Sequence, residues 1–551
     1  MFAIGAFDND QVQGIPLRKF WQICFFTALA TLTAGLVTAA IPRASINSQT
    51  DSSTANLSSS APYVILTNLA STDPYFEAVS RLQKYRKAQI VKFDPAHVAS
   101  MMEKIRRISP VFVGLVLRPE ELNINLCYDI LEISFRLDDD PFPDFAYGFI
   151  TGATASETLA LVENMVRAES NPNSVPRRLV AFGPSNVSQS DDKTDFEWLP
   201  DWQCIRLAHK PGTFPRKYLD KLADRGIIRF WGHGSPRRVD GSLSYSQLRN
   251  LNLYPAVVFA GPCFSAVVHR YYEWNCCDTS VHVDCVPVEE SLALMFIAQG
   301  ATAYFGALHE NKCGSAAWEM EDALATGDPL GIVMKHTYDT VIMAQGGKRL
   351  AFPRLRDGES PPKEDPVDFQ INRTASRILL GDPAYQPFSR TALNPIKTTT
   401  RLTATGMEIE ASVTEPRMRF TFVDVFHTDL CTCDTPDDVL YFRVELPDGF
   451  PKAYSVSHSE DSCPLKDVKH SALVWAEESW LGKRFLHVQV AFTHCSLNTS
   501  GLKFNFKIEA AMTNHHDTDP DYPEERLSGQ IESRVSEGWE KTKKWMNEKK
   551  N

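Results

Sequence analysis

Short apolar runs alternate with amphipathic stretches from residue 61 onward, which is the pattern of an α/β protein. Strands are predicted over 61–68, 89–94 and 110–117, with helices over 73–88 and 95–108 between them. Each apolar run is continuous, which is typical of parallel strands that are covered on both faces. We therefore expect a doubly wound, mainly parallel sheet with helices on its two sides.

The same pattern continues to about residue 395. A helix is predicted over 156–169, and four further strands follow it. These strands are predicted over 177–184, 225–234, 255–263 and 301–308. We divide the region into an N-terminal α/β subdomain, 61–170, and a second α/β subdomain, 171–395, which carries the candidate chemistry.

The pattern changes after residue 400, where apolar and polar residues alternate and turn residues separate the runs. Seven such runs over 400–513 predict an immunoglobulin-like β-sandwich as a separate domain. The last stretch, 514–551, is highly charged and predicts a solvated tail.

The N-terminus carries a long apolar segment. Arg18 and Lys19 precede residues 20–40, which contain no charge and end in small residues. This order is typical of an export signal, within a predicted segment 1–40, although the length also allows a retained membrane anchor. Residues 41–60 predict a flexible linker. We therefore expect the rest of the chain to be secreted, periplasmic or on the cell surface.

Composition narrows the function classes. The chain has 551 residues, 43% of them hydrophobic and 23% charged, and its net charge is −11. Because there is no long basic run to neutralise phosphates, we expect no nucleic-acid partner. Apart from Cys24 and Cys263, ten cysteines remain, an even number that could form disulfides in an oxidising compartment. The sequence does not give their pairing.

The candidate chemistry lies at two strand ends. His233 ends the predicted strand 225–234, and Cys263 ends the next one, 255–263. Consecutive strands often lie side by side, and ligands bind at the carboxyl edge of such sheets. An imidazole beside a thiol can take its proton and later protonate a leaving amine. The backbone amides of Gly234 and Cys263 are candidate donors to an oxyanion.

Two plain alternatives exist for these residues. Glycines around a histidine commonly mark a turn, and a lone cysteine in an apolar run is commonly an inert core residue. Each alternative explains one residue by itself. Neither explains why both residues fall at equivalent ends of consecutive strands.

The order of a strand ending in His-Gly, a spacer, and a strand ending in Cys resembles the cysteine peptidases that share the caspase-like fold. More narrowly, the chain resembles the gingipain-type peptidases. The segments that resemble the family's flanking blocks are 138–166, 291–308 and 376–388. The resemblance implies that Cys263 is the nucleophile, His233 the general base and Asp144 the acid that orients the histidine. For Asp144, a solvated turn residue in the segment PFPD is the alternative.

The chain departs from the family at several places. Phe149 stands where the family often has an arginine, and 291–296 lacks an acidic residue that is frequent there. The P1 preference of relatives is therefore not carried over. The resemblance implies an exported cysteine endopeptidase that acts on protein or peptide substrates through a thioester acyl-enzyme. The alternative is a catalytically silent module that binds or adheres at a surface.

No metal and no organic cofactor are expected at the catalytic residues. Cys276, Cys277, His282 and Cys285 could ligate zinc, but adjacent cysteines fit zinc spacing poorly and export favours disulfides. The acidic run 138–140 could bind calcium, and a solvated loop is the alternative. Calcium sites occur in the family that the chain resembles. A membrane contact is expected only through the N-terminal segment, if it is retained.

Overall fold

The computed structural model describes residues 47–48 and most of the chain between 62 and 510. Within that span, the description leaves out 172–173, 185–200, 210–213, 240–242, 274–279, 311–315, 345–346, 348–351, 353, 361–374, 390–395, 414–437, 453, 459–469 and 493–502. The predicted export segment and the predicted charged tail lie outside the described residues, so both stay predictions. None of the described helices is long and apolar enough to cross a membrane.

A ten-stranded sheet forms the centre of the molecule. The first strand of the chain, β1 (Asn47–Ser48), does not belong to it and pairs with a strand of the second unit described below. The first four strands of the large sheet are β2 (Tyr63–Thr67), β3 (Gln89–Lys92), β4 (Phe112–Val116) and β5 (Ala146–Ile150). Three more follow as β6 (Arg178–Pro184), β7 (Gln203–His209) and β8 (Ile227–Phe230). A small antiparallel sheet comes next, made of β9 (Gly234–Ser235), β10 (Arg238–Val239) and β11 (Leu243–Ser244).

The large sheet then resumes. Its last three strands are β12 (Val257–Ala260), β15 (Ala303–Ala307) and β16 (Arg377–Leu380), and a separate hairpin between them consists of β13 (Arg270–Glu273) and β14 (His282–Cys285). The sequence pattern did not predict β7, the hairpin or β16 as strands. Each of these segments is short or carries several polar residues, so apolar continuity did not mark them.

The strand order of the large sheet is β3-β2-β4-β5-β16-β15-β12-β8-β6-β7. Neighbouring strands are parallel throughout, except that β15 and β16 are antiparallel. The mainly parallel sheet that the pattern predicts is therefore present, but it consists of two blocks that run in opposite directions. As a result, the carboxyl ends of β8, β12 and β15 lie on the same edge as the amino end of β5.

Helices cover both faces of this sheet. Every residue of β2, β4, β5, β8, β12 and β15 is buried, which requires packing on both sides. The helices are α1 (Phe76–Arg86), α2 (Met102–Ile108), α3 (Ile124–Ser134), α4 (Ala155–Glu169), α5 (Tyr245–Leu248), α6 (Leu292–Ala298), α7 (Ala316–Thr326) and α8 (Leu330–Ala344). Thr154 and Glu157 form a capping box that fixes the start of α4.

A second unit follows the large sheet. Its strands are β17 (Ile396–Leu402), β18 (Gly406–Val413), β19 (Asp438–Leu446), β20 (Tyr454–His458), β21 (His470–Trp480), β22 (Lys483–Phe492) and β23 (Lys503–Ala510). They form two four-stranded sheets, β1-β19-β22-β21 and β17-β18-β23-β20. Ile409, Phe442, Val488 and Phe506 belong to one apolar core that draws on both sheets.

The architecture of this second unit is that of two packed sheets, and its assignment as immunoglobulin-like stays a prediction. Two of the seven predicted runs are 401–413 and 417–426. The first is not a single strand: it spans the turn between β17 and β18, where the N–H of Thr403 donates to the carbonyl of Gly406 (2.9 Å). The second lies outside the described residues.

A buried ionic cluster joins α8 to the second unit. The Lys335 ammonium donates to Asp339 (2.9 Å) and to Glu478 of β21 (2.5 Å). The Nε2 of His487 lies 3.0 Å from Glu478, and its Nδ1 lies 2.7 Å from the hydroxyl of Tyr441. A carboxylate only accepts, so Nε2 carries the proton and Nδ1 accepts from Tyr441. We call these five residues the interface cluster; they fix the second unit to the first.

Candidate active site

His233 lies just beyond the carboxyl end of β8. The strand ends at Phe230, and Gly232 then takes a φ of 115°, in the left-handed region that favours glycine. The backbone therefore turns immediately before the histidine. His233 is exposed at the edge of the sheet, where an imidazole can reach a ligand.

Cys263 lies at the corresponding position beyond β12. The strand ends at Ala260, and the thiol of Cys263 is half-buried. The next residue, Phe264, is bulky and buried, with 8% of its surface exposed, yet its φ is 55°. Left-handed backbone at such a residue is uncommon, and strain of this kind clusters at functional sites. This turn presents the cysteine at the sheet edge.

The chain reverses at the Cys263 turn and runs back along β15. The N–H of Phe264 donates to the carbonyl of His309 (3.0 Å), and the N–H of Ala266 donates to Ala307 (2.9 Å). The donors advance from Phe264 to Ala266 while the acceptors go back from His309 to Ala307, so this returning segment is antiparallel to the end of β15. The hydroxyl of Ser265 also accepts from the N–H of Ala307 (3.2 Å). Cys263 therefore stands at the apex of a turn that is anchored on one side.

Three candidate residues follow the carboxyl ends of three neighbouring strands. The strands β8, β12 and β15 end at Phe230, Ala260 and Ala307, and they lie in this order in the sheet. His233, Cys263 and His309 follow these ends within three residues. Cys263 therefore follows the middle strand, with a histidine after the strand on each side of it. We call this set the register row.

Gly234 brings the two main chains into contact. A Cβ built on Gly234 would lie 2.6 Å from the carbonyl oxygen of Cys263 and 2.5 Å from the Cβ of Pro262. No side chain fits there without a shift of the backbone. The structure thus brings together His233, Gly234 and Cys263, as the strand-end hypothesis requires, while their catalytic roles stay predictions.

Asp144 lies elsewhere on the same edge. It precedes β5, and β16 and β15 stand between β5 and β12, so about three strand spacings, or about 14 Å, separate the strands of Asp144 and Cys263. Its carboxyl accepts from the N–H of Leu137 (2.9 Å). Burial, together with the charges of Asp138 and Asp140, raises the pKa of Asp144 to about 8. A carboxyl that is mostly protonated at neutral pH does not stabilise an imidazolium, so we leave Asp144 out of the mechanism.

Three features near Cys263 were missed from the sequence. Phe264 and His309 shape the turn, and a buried guanidinium supports the strand: Arg377 donates to the carbonyl of Ala260 (3.2 Å) and to Glu319 (3.0 Å). His309 follows a predicted strand as His233 and Cys263 do, so the same argument from strand ends could have found it. The backbone of Phe264 and the reach of Arg377 have no local sequence signal.

The disulfide prediction for residues 276–285 lies partly outside the described residues and stays a prediction. Among the described residues, no group of three or more His, Cys, Asp or Glu side chains could hold a metal ion. Of the zinc or disulfide candidates, Cys276 and Cys277 lie outside the description, and His282 and Cys285 are exposed on β14. The described cysteines are thiols: Cys127, Cys204, Cys263 and Cys285. The calcium hypothesis stays a prediction.

Comparisons with known proteins find low similarity. No family model matches the chain, and no curated protein matches it. A complex of the pro- and mature domains of RgpB from Porphyromonas gingivalis is 11% identical, with a TM-score of 0.41, and covers 64% of this chain and 86% of its own. The Arg-specific cysteine proteinase gingipain R is 10% identical, with a TM-score of 0.40, and covers 82% and 98%. TM-scores this low carry no argument about this chain, so the function is argued from its own geometry.

Proposed function

We propose that this protein is a cysteine endopeptidase that hydrolyses peptide bonds in protein or peptide substrates. Cys263 is the nucleophile and His233 the general base. The observation that carries the proposal is the main-chain contact between Gly234 and Cys263. It packs Gly234, the residue after His233, against the main chain of Cys263, beyond the carboxyl ends of two paired parallel strands.

The proposed first half-reaction acylates the cysteine. His233 takes the thiol proton, and the sulfur of Cys263 attacks the scissile carbonyl carbon. The oxyanion that forms accepts hydrogen bonds from the backbone N–H groups of Gly234 and Cys263. The imidazolium of His233 then gives its proton to the leaving amine as the C–N bond breaks. The products are a free amine and a thioester on Cys263.

The second half-reaction releases the acyl group. His233 takes a proton from water, whose oxygen attacks the thioester carbonyl. The C–S bond breaks, the thiol of Cys263 regains a proton from the imidazolium, and a carboxylic acid leaves. The two half-reactions use only the substrate, water and these side chains, so the proposal requires no organic cofactor.

The exposure of the two side chains suits this role. His233 is exposed and Cys263 is half-buried, so an extended substrate can reach the thiol from the solvent side of the sheet edge. The buried part of Cys263 packs against the apolar cluster of Phe264, Val267 and Val286. A nucleophile with one open face restricts the direction of attack.

The remaining parts of the proposal concern location and the second unit. The N-terminal charge and apolar pattern supports export, with the chain secreted, periplasmic or at the cell surface, and anchored only if residues 20–40 are retained. The interface cluster supports a bracing role for the second unit, because it links α8 to β21 and β22 through fully buried charges.

One observation favours a second candidate function. Asp144, the only acid that the family resemblance offers as a partner for His233, faces Leu137 and Asp138 instead. A histidine that is not oriented by Asp144 would suit a catalytically silent module that binds peptides or a surface partner along the same edge. The peptidase remains the first candidate, because His233 and Cys263 follow the ends of two paired strands.

Labelling with peptidyl acyloxymethyl ketones that differ at P1 tests the proposal. The variants are Cys263→Ala and His233→Ala, with Cys204→Ala as a matched control because Cys204 is also a half-buried thiol. We expect one covalent label on the parent and on Cys204→Ala, and none on the other two. Absence of labelling by every probe in folded, reduced protein would favour the silent binding module.

A further inference from the structure

His309 occupies the third position of the register row, on the side of Cys263 opposite His233. His309 follows Ala307, the last residue of β15, by two residues, and it lies beside the turn that carries Cys263. The side chain of His309 is almost fully buried, at 1% exposure, whereas His233 is exposed. At the same sheet edge, His233 is therefore accessible to a ligand, whereas His309 packs inside the protein.

His309 contacts the residue that follows Cys263 in two ways. Its carbonyl accepts the N–H of Phe264 (3.0 Å), and its ring centroid lies 5.3 Å from the Phe264 ring. The Phe264 ring also contacts Tyr271 of β13, with centroids 5.6 Å apart. Two aromatic side chains, the imidazole of His309 and the phenol of Tyr271, thus pack on the Phe264 ring.

The packing around the turn is separate from the main core. Phe264, Val267 and Val286 form a small apolar cluster, against which Cys263 and Tyr271 are partly buried. A bulky residue leaves the left-handed region when its ring is not held, because its own Cβ crowds the backbone there. The left-handed backbone at Phe264 therefore depends on the groups that contact its ring, and His309 supplies one such contact from the end of β15.

We propose that His309 is a positioning residue for Cys263. Its ring, packed on Phe264, holds the left-handed turn that aims the sulfur of Cys263 toward His233. The inference rests on the proposed function for its catalytic consequence, but the geometry of the thiol can be measured without any substrate.

The test compares His309→Ala, His309→Phe and Val267→Ala. Ala removes the ring that packs on Phe264, Phe keeps a ring without its nitrogens, and Val267→Ala loosens the same cluster away from the register row. The first readout is the rate of Cys263 alkylation by iodoacetamide across pH, with the modified residue identified by mass spectrometry. The second is kcat and KM on the best peptide substrate, and melting temperatures monitor folding.

For His309→Ala we expect the alkylation profile to move in pH, and kcat to fall about 10- to 100-fold at little-changed KM, the cost of a nucleophile displaced by about an ångström. His309→Phe should recover most of this loss. Val267→Ala should lower the melting temperature and leave the alkylation profile in place.

Three results would overturn the inference. One is a His309→Ala profile equal to that of the parent, and another is an equal shift in Val267→Ala. The third is failure of His309→Phe to recover activity. If His309→Ala does not fold, His309→Leu takes its place as the variant without an aromatic ring. A parent that alkylates normally but cleaves no peptide would refute the proposed function and leave the test of the turn intact.

Discussion

A methyl group placed on Gly234 would stand 2.6 Å from the carbonyl oxygen of Cys263. This contact ties the residue after His233 to the main chain of the candidate nucleophile. It explains the glycine on the carboxyl side of the histidine, because only a residue without a side chain lets the two strands' extensions meet. The glycine on the other side, Gly232, has a separate cause in its φ of 115°.

Gly234→Ala should therefore damage both the fold and the site. The added methyl group meets backbone atoms of Cys263 and the ring of Pro262, so the turn must shift, at a cost of about 1–3 kcal/mol. We expect slower labelling of Cys263 and a lower free energy of unfolding by denaturant. Ser235→Ala, one residue further along, is the control. A variant that labels at the parental rate would show that the contact does not shape the site.

The interface cluster predicts a large effect from one buried cation. Lys335→Met leaves Asp339 and Glu478 buried without their shared partner, which should destabilise the protein by about 3–5 kcal/mol. The triple variant that also carries Asp339→Asn and Glu478→Gln should recover much of the loss. Lys503→Met, which breaks an exposed pair with Glu410, should cost at most about 1 kcal/mol.

Urea unfolding of these variants provides the measurement. Equal effects of Lys335→Met and Lys503→Met would refute the view that the buried cluster holds the two units together. The same experiment bears on the second unit's bracing role, because a loosened interface should also separate the unfolding transitions of the two units.

Two buried histidines predict loss of stability in acid. Burial lowers the pKa of His336 and of His487 to about 4, whereas an unfolded histidine titrates near 6.5. The unfolded chain therefore binds more protons between these values, and stability falls as pH drops from about 6.5 to 4, by on the order of 3 kcal/mol per histidine. Melting temperatures across this range should fall more steeply in the parent than in His487→Gln. If the melting temperatures of the parent and of His487→Gln fell equally with pH, buried neutral His487 would not be a cause of the acid instability.

Asp144 predicts the opposite slope. Its folded pKa, raised to about 8 by burial and by Asp138 and Asp140, exceeds the usual 3.8, so the folded state holds a proton that the unfolded state has lost. Stability should thus fall as pH rises through this window, and Asp144→Asn should flatten that decline. We also expect Asp144→Asn to keep labelling within a few-fold of the parent. A loss near 10⁴-fold, as for the aspartate of a serine–histidine–aspartate triad, would restore its catalytic role.

The pattern of apolar and polar residues predicted most strands of the large sheet, but not the order in which they lie. Continuous apolar runs marked most strands of the large sheet, and the ends of those runs marked His233 and Cys263. The strand β16 was missed because an arginine and three apolar residues are too short a run to mark a strand, and the antiparallel pairing of β15 with β16 reverses one block of the sheet. The role that the family resemblance gives Asp144 stays a prediction, because the distance of Asp144 from His233 depends on strand order, which the sequence does not give. The Phe264 ring packs on His309, which is distant in sequence, so no local pattern marks the turn there.

The most direct test of the central claim is digestion of a mixed peptide library, with the cleaved bonds identified by mass spectrometry. The parent, Cys263→Ala and His233→Ala would be compared in reducing buffer, after circular dichroism shows that all three are folded. The account predicts new peptide termini, with a consistent residue at P1, in the parent and none in either variant. Cleavage that persists in Cys263→Ala, or none in the parent at any pH between 5 and 9, would contradict the claim that this cysteine and histidine form a peptidase site.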